Sequence, residues 1–139
     1  MSDDAILLAY DDSEPAQRAL HRAAALAKAF GSTLIVTSVA PVSTPAGGRS
    51  IGADPVETGA DHLAELAGAR AYLEGEGVTA RFVEGLGHPA ETIVEAARQQ
   101  SAGLIVIGAR DLSMVQRLLG QSVSDAVTHH AGCDVLVVH

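Results

Sequence analysis

Short apolar runs alternate along the chain with stretches of helical period, and this alternation limits the fold more than any other feature. Residues 6–10, 33–39, 78–84, 104–108 and 135–138 read as strands buried on both faces, because their apolar character is nearly continuous rather than alternating. Helical patterns lie between them. The first runs from Glu14 to Phe30, with Ala16, Ala19, Leu20, Ala23, Ala27 and Phe30 at helical spacing and Gly31 as its stop. The second covers 60–74, with Leu63, Leu66, Ala67 and Leu73 inward and Gly75 and Gly77 ending it. The third opens at Pro89, a favoured first helical position, and carries Ala90, Ile93 and Ala97. The fourth starts near Ser122, with Val123, Ala126, Val127 and His130 on one stripe. Strands and helices in strict alternation predict right-handed crossovers and an open, doubly wound parallel α/β sheet of five strands with helices on both faces. No internal repeat interrupts the pattern. Residues 40–59 lack periodicity and are rich in Pro, Gly, Ser and Thr, which predicts a long flexible loop, either a lid over a site or a tolerated insertion.

A chain of 139 residues suits one domain spanning 1–139 with a core of its own. Aromatic residues make up only 3% of it, so Ala, Val, Leu and Ile must fill that core. The formal net charge of −8 disfavours a nucleic-acid partner, since phosphate attraction needs clustered Lys and Arg. Lys28 is the sole lysine and is expected mid-helix in the first helix, which removes the usual P-loop and Schiff-base chemistries. The single cysteine, Cys133, excludes an intrachain disulfide and is read as a small buried hydrophobe. The acidic start lacks the basic and apolar regions of a secretion signal, and no apolar run is long enough to span a bilayer, so the expected location is cytoplasmic, with no membrane partner.

In an open α/β sheet, ligands bind beyond the carboxyl ends of the strands where the strand order reverses. Asp11, Asp12 and Ser13 follow the first strand, and Gly108, Ala109, Arg110 and Asp111 follow the fourth. Paired carboxylates raise the possibility of a magnesium site of the response-regulator receiver kind. That site needs an Asp after the third strand and a Lys after the fifth, and neither is present. Asp12 or Ser13 is expected to cap the first helix, leaving Asp11 for ligand contact. The run Ser122, Val123, Ser124, Asp125 fits a capping box, and the free N–H groups of such a helix start also suit a phosphate. His129 and His130 are adjacent and point about 100° apart on a helix, so they cannot share a metal ion from one face. His130 falls on the apolar stripe and is read as a packed histidine. No histidine shows metal-ligand spacing, and neither a catalytic residue nor a metal site is assigned.

Three segments in order resemble the universal stress protein family: LAYDDSEPAQRAL over residues 8–20, EGLGHPAETI over 84–93, and LIVIGARD, RLLGQSVS and HAGCDVLVV within 104–138. The resemblance covers the chain apart from 40–59. It implies a Rossmann-like sheet of order 3-2-1-4-5, as in adenine nucleotide alpha hydrolase-like proteins, and a stress-response role. It also implies a homodimer formed through the last strand, Asp134, Val135, Leu136, Val137 and Val138. One branch of the family binds ATP through Gly-x2-Gly-x9-Gly-[Ser/Thr]. Carried over by position, Gly108 matches the first glycine, Asp111 falls on the second, Gln121 on the third, and Ser122 matches the hydroxyl residue. Val123 and Ser124 continue the phosphate side, and Ala9, Asp11, Val39 and Ile107 line the adenosine pocket. His88 stands where the family usually has an Asp before Pro89, which removes a good N-cap.

Two glycines of that motif are therefore absent. Glycine allows close backbone approach and positive φ, and Asp111 brings a carboxylate toward the phosphates at a cost on the order of 1 kcal/mol in water at 4–5 Å. Gly120 offers a replacement for the third glycine by a one-residue shift, and Arg110 can offset charge by pairing with Asp111 or a phosphate. The expectation is a dimeric regulatory domain that binds ATP or AMP weakly, with Mg²⁺ only alongside the nucleotide. Two alternatives stand beside it: a ligand-free interaction module with unknown protein partners, and a slow Mg²⁺-dependent ATPase acting through Asp11. The missing lysine and glycines oppose the last.

Overall fold

The structure, a computed structural model, describes residues 4–11, 13–40, 55–86, 89–109 and 123–139. Its elements are β1 (Ala5–Ala9), α1 (Glu14–Phe30), β2 (Leu34–Ala40), α2 (Pro55–Glu76), β3 (Ala80–Leu86), α3 (Pro89–Gln99), β4 (Ala102–Gly108), α4 (Val123–His130) and β5 (Asp134–Val138). The strands form one sheet in the order β3-β2-β1-β4-β5, and every neighbouring pair is parallel. The doubly wound sheet and its order follow the expectation.

β1 sits at the centre and is covered on both faces, which is why it reads as a continuous apolar run. Ile6 and Leu8 face a layer formed by α1 and α2, with Ala19, Ala23, Ala27, Leu66, Ala69 and Leu73 buried there. Leu7 and Ala9 face the opposite layer, with Ile93 and Ala97 of α3 and Val127 of α4. The small residues of α1 let its backbone lie close to the sheet.

Local signals set the helix ends. Ser13, extended at φ −73° and ψ 164°, caps α1 by accepting a hydrogen bond from the Ala16 N–H at 3.2 Å. Of the two capping candidates Ser13 is therefore the cap; Asp12 lies outside the described residues. Gly31 closes α1 in the left-handed conformation at φ 68°, its N–H bonded to the Ala27 carbonyl.

Several expectations need correction. Helix α2 begins at Pro55, so residues 55–59 are helical rather than part of the 40–59 loop, and Ala40 completes β2. Pro55 supplies the N-terminal start that the composition of that stretch obscured, while 41–54 lie outside the described residues. Gly75 lies within α2, and Gly77 at φ 72° is the residue that stops it. The buried stripe of α2 runs through Leu66, Ala69 and Leu73. Ala67 is exposed because one residue turns about 100° from Leu66. Phe30 is 52% exposed, since it is the last helical residue and no later turn covers it. Lys28 belongs to the last turn of α1, where its ammonium lies 3.2 Å from Glu76. His130 is exposed at the end of α4, where its polar ring keeps its hydration.

Candidate functional site

The chain order reverses between β1 and β4. From β1 the sheet grows through β2 to β3, and the chain then crosses to β4 on the other side of β1. The crevice beyond the carboxyl ends of β1 and β4 is the switch-point position. In register, Leu8 pairs with Val106, so Ala9 and Ile107 come side by side one residue further on. Both are buried on the α3 and α4 face. Ala9 also pairs with Thr37 of β2, Thr37 with Val83 of β3, and Ile107 with Val137 of β5. Val83, Thr37, Ala9, Ile107 and Val137 thus make one row across the end of the sheet.

Asp11 lies just past this row and is exposed. Its Oδ1 accepts a hydrogen bond from the Ser13 N–H at 3.0 Å, an Asx-type turn that leads into the α1 cap. The same carboxylate that the sequence reserves for a ligand therefore also shapes the entry to α1. Val39 belongs to β2 and pairs with Gly85. The backbone of Val123 and Ser124 forms the first turn of α4. Arg110, Asp111, Gly120, Gln121 and Ser122 lie outside the described residues, so the altered glycine motif falls there apart from its first member.

Gly108 has a structural duty that the motif reading did not anticipate. A Cβ at this position would lie 2.5 Å from both the carbonyl carbon and the oxygen of Pro15, and 2.9 Å from the Ala16 nitrogen. The start of α1 therefore packs directly on the end of β4, and glycine is needed for that contact alone. Arg18 of α1 ties the same corner: its Nη1 lies 3.0 Å from Glu14, and its Nε donates to the His139 carbonyl at 3.1 Å.

Thr37 was missed from the sequence. It is 1% exposed, and its Oγ1 has no hydrogen-bond partner among the described residues. The available signal was the adjacent pair of hydroxyls, Thr37 and Ser38, in the middle of a buried second strand. Cys133 is only half-buried; desolvation first, and the adjacent Asp134 charge second, raise its thiol pKa. Among the described residues no group of three His, Cys, Asp or Glu side chains is arranged to hold a metal ion, and no helix is long and apolar enough to cross a membrane.

These features define a doubly wound α/β domain whose strand order reverses between β1 and β4. The family model for the universal stress protein family matches residues 4–139, and the chain belongs to that family. A universal stress protein of Synechocystis sp. is 32% identical, with 96% of each chain covered. Among solved structures, a universal stress protein in complex with cAMP superposes with a TM-score of 0.78 at 25% identity, over 100% of this chain and 98% of that one. The universal stress protein of Archaeoglobus fulgidus in complex with dAMP gives a TM-score of 0.77 at 25% identity, over 100% of both chains.

Proposed function

We propose that this domain is a regulatory module that binds an adenine nucleotide in the crevice between the ends of β1 and β4, favouring AMP over ATP. The observation that carries the reading is the position of Ala9 and Ile107, side by side at the switch point with the exposed Asp11 carboxylate just beyond them. Asp11 accepts a ribose hydroxyl, and the first turn of α4, at Val123 and Ser124, offers its N–H groups to a phosphate. Support comes from the family relatives solved with cAMP and dAMP. The preference for the monophosphate follows from Asp111 and Gln121, which replace two glycines of the ATP-binding pattern. A longer phosphate chain would meet the Asp111 charge.

Calorimetric titration tests the reading. AMP is expected to bind with a Kd on the order of 10–100 μM and ATP about tenfold more weakly. Asp11→Ala should weaken AMP by roughly 10- to 100-fold, the worth of a hydrogen bond to a charged group. Asp111→Gly combined with Gln121→Gly should bring ATP to the level of AMP. Absence of AMP binding at about 1 mM overturns the proposal and leaves the interaction-module reading. That second reading draws on β5, an edge strand whose Val135, Leu136 and Val137 are only half-buried and therefore suit pairing with the same strand of a second copy.

A further inference from the structure

A groove of about 450 Å³ runs between the carboxyl half of β3 and α3, and its lining includes Thr37, Val83 and Ala96. Side chains two apart on a strand share a face, so Thr37 lies with Ile35 on the α3 side of the sheet. The row across the strands relates this groove to the nucleotide region. Val83, Thr37, Ala9 and Ile107 stand on neighbouring strands, with about 4.8 Å at each step. Thr37 is thus one strand from Ala9 and two from Ile107, a span that a nucleoside laid across the strands covers.

Thr37 is 1% exposed, and its Oγ1 has no hydrogen-bond partner among the described residues. A buried hydroxyl left unpaired is unfavourable, and an apolar side chain of the same shape avoids the cost. Its neighbours in the row, Val83 and Ala9, are apolar. The hydroxyl therefore points to a partner that arrives with a ligand. What fits beside it has apolar faces and a polar edge. Val83 and Ala96 supply apolar surface, and the hydroxyl can donate or accept. No described Lys or Arg lines the groove, so the phosphate end of a ligand belongs elsewhere.

Resting on the nucleotide reading above, we propose that this groove takes the purine base and that the Thr37 hydroxyl reads the hydrogen-bonding edge of that base. The base lies against Val83 and Ala96. The ribose crosses Ala9 toward Asp11, and the phosphate continues along the row toward the first turn of α4. Thr37 then governs recognition of the base and takes no part in holding the sugar or the phosphate.

The test compares AMP with ribose 5-phosphate, which keeps sugar and phosphate but lacks the base. Both are titrated into the parent protein, Thr37→Val and Thr37→Ser. Thr37→Val keeps the side-chain shape and removes the unpaired oxygen, so its unfolding midpoint should be no lower than that of the parent. It should weaken AMP about tenfold and leave ribose 5-phosphate unchanged. Thr37→Ser keeps the hydroxyl and should hold AMP within about threefold of the parent. In amide NMR spectra, AMP should shift Thr37, Val83 and Ala96 through the ring current of the base, and ribose 5-phosphate should leave them in place. The inference is overturned if Thr37→Val binds AMP as well as the parent does, or if it loses ribose 5-phosphate to the same degree. It is also overturned if Thr37→Ser weakens AMP as far as Thr37→Val, or if the three signals ignore AMP. A lowered midpoint for Thr37→Val has the same effect, since the hydroxyl would then be satisfied within the protein. All of these outcomes are compatible with AMP binding and leave the nucleotide reading standing. A parent protein that binds no AMP removes that reading and this one together.

Discussion

Gly108→Ala should destabilise the domain by about 3 kcal/mol, near the upper end of the range for overpacking a tight contact. The new methyl would lie 2.5 Å from the carbonyl carbon and oxygen of Pro15. Those are backbone atoms, so no rotamer change relieves the clash. Pro15 has a fixed φ, and the segment before it is held by the Ser13 cap and the Asp11 turn. Relief requires moving the start of α1 away from the end of β4. That displacement also shifts Asp11, so AMP affinity should fall together with stability. Urea unfolding and calorimetry on the same preparation separate the two effects. A midpoint equal to that of the parent protein would show that α1 can shift at little cost. One consequence concerns motif analysis: loss of binding on changing this glycine does not by itself identify a phosphate contact.

Leu7→Ala should cost about 3–5 kcal/mol, the loss of transfer free energy plus the cavity left in a site that cannot collapse. Leu7 is fully buried on the central strand and pairs in register with Ile35 on one side and Ile105 on the other. Around Leu7 both flanking strands stay in regular parallel register, β2 from Ile6 to Ala9 and β4 from Ile6 to Leu8, so the hole has rigid walls. Against a total stability of roughly 5–15 kcal/mol, this single change removes a large share. Phe30→Ala is the matched control. Phe30 is the larger side chain, but it is 52% exposed, and its removal should cost under about 1 kcal/mol. Equal effects from the two changes would contradict the layer assignment of α1 and β1.

The strands and their parallel pairing were legible because burial on both faces leaves a plain sequence trace, runs such as Ile6, Leu7 and Leu8 with no polar alternation, while their order came from the family resemblance. The span of α1 was legible for a similar reason, with Ser13 and Gly31 marking its two ends. Helix α2 was harder to read. Its first residues carry Gly, Thr and Asp, which look like a loop by composition, and Pro55 reads equally as a breaker or as a start. Side-chain direction near helix ends was misread at Phe30 and His130, because periodicity gives an angle but not whether anything lies opposite. The places of Ala9, Asp11, Ile107 and Gly108 at the ends of β1 and β4 were legible from topology and motif together. Two facts required coordinates: the close approach of Pro15 to Gly108, and the unpaired hydroxyl of Thr37. Neither is visible in spacing, since each depends on contacts between residues far apart along the chain.

The central place of β1 has a consequence during synthesis. Once made, β1 meets β2 soon afterwards, but its other flank waits for β4, where Leu8 pairs with Val106. Translation at about 5–20 residues per second puts that delay at roughly 5–20 s. Throughout it, half of the innermost ladder stays open on a nascent chain rich in Ala, Leu and Val. The central strand of this architecture is therefore completed late, only when the second half of its sheet has been made.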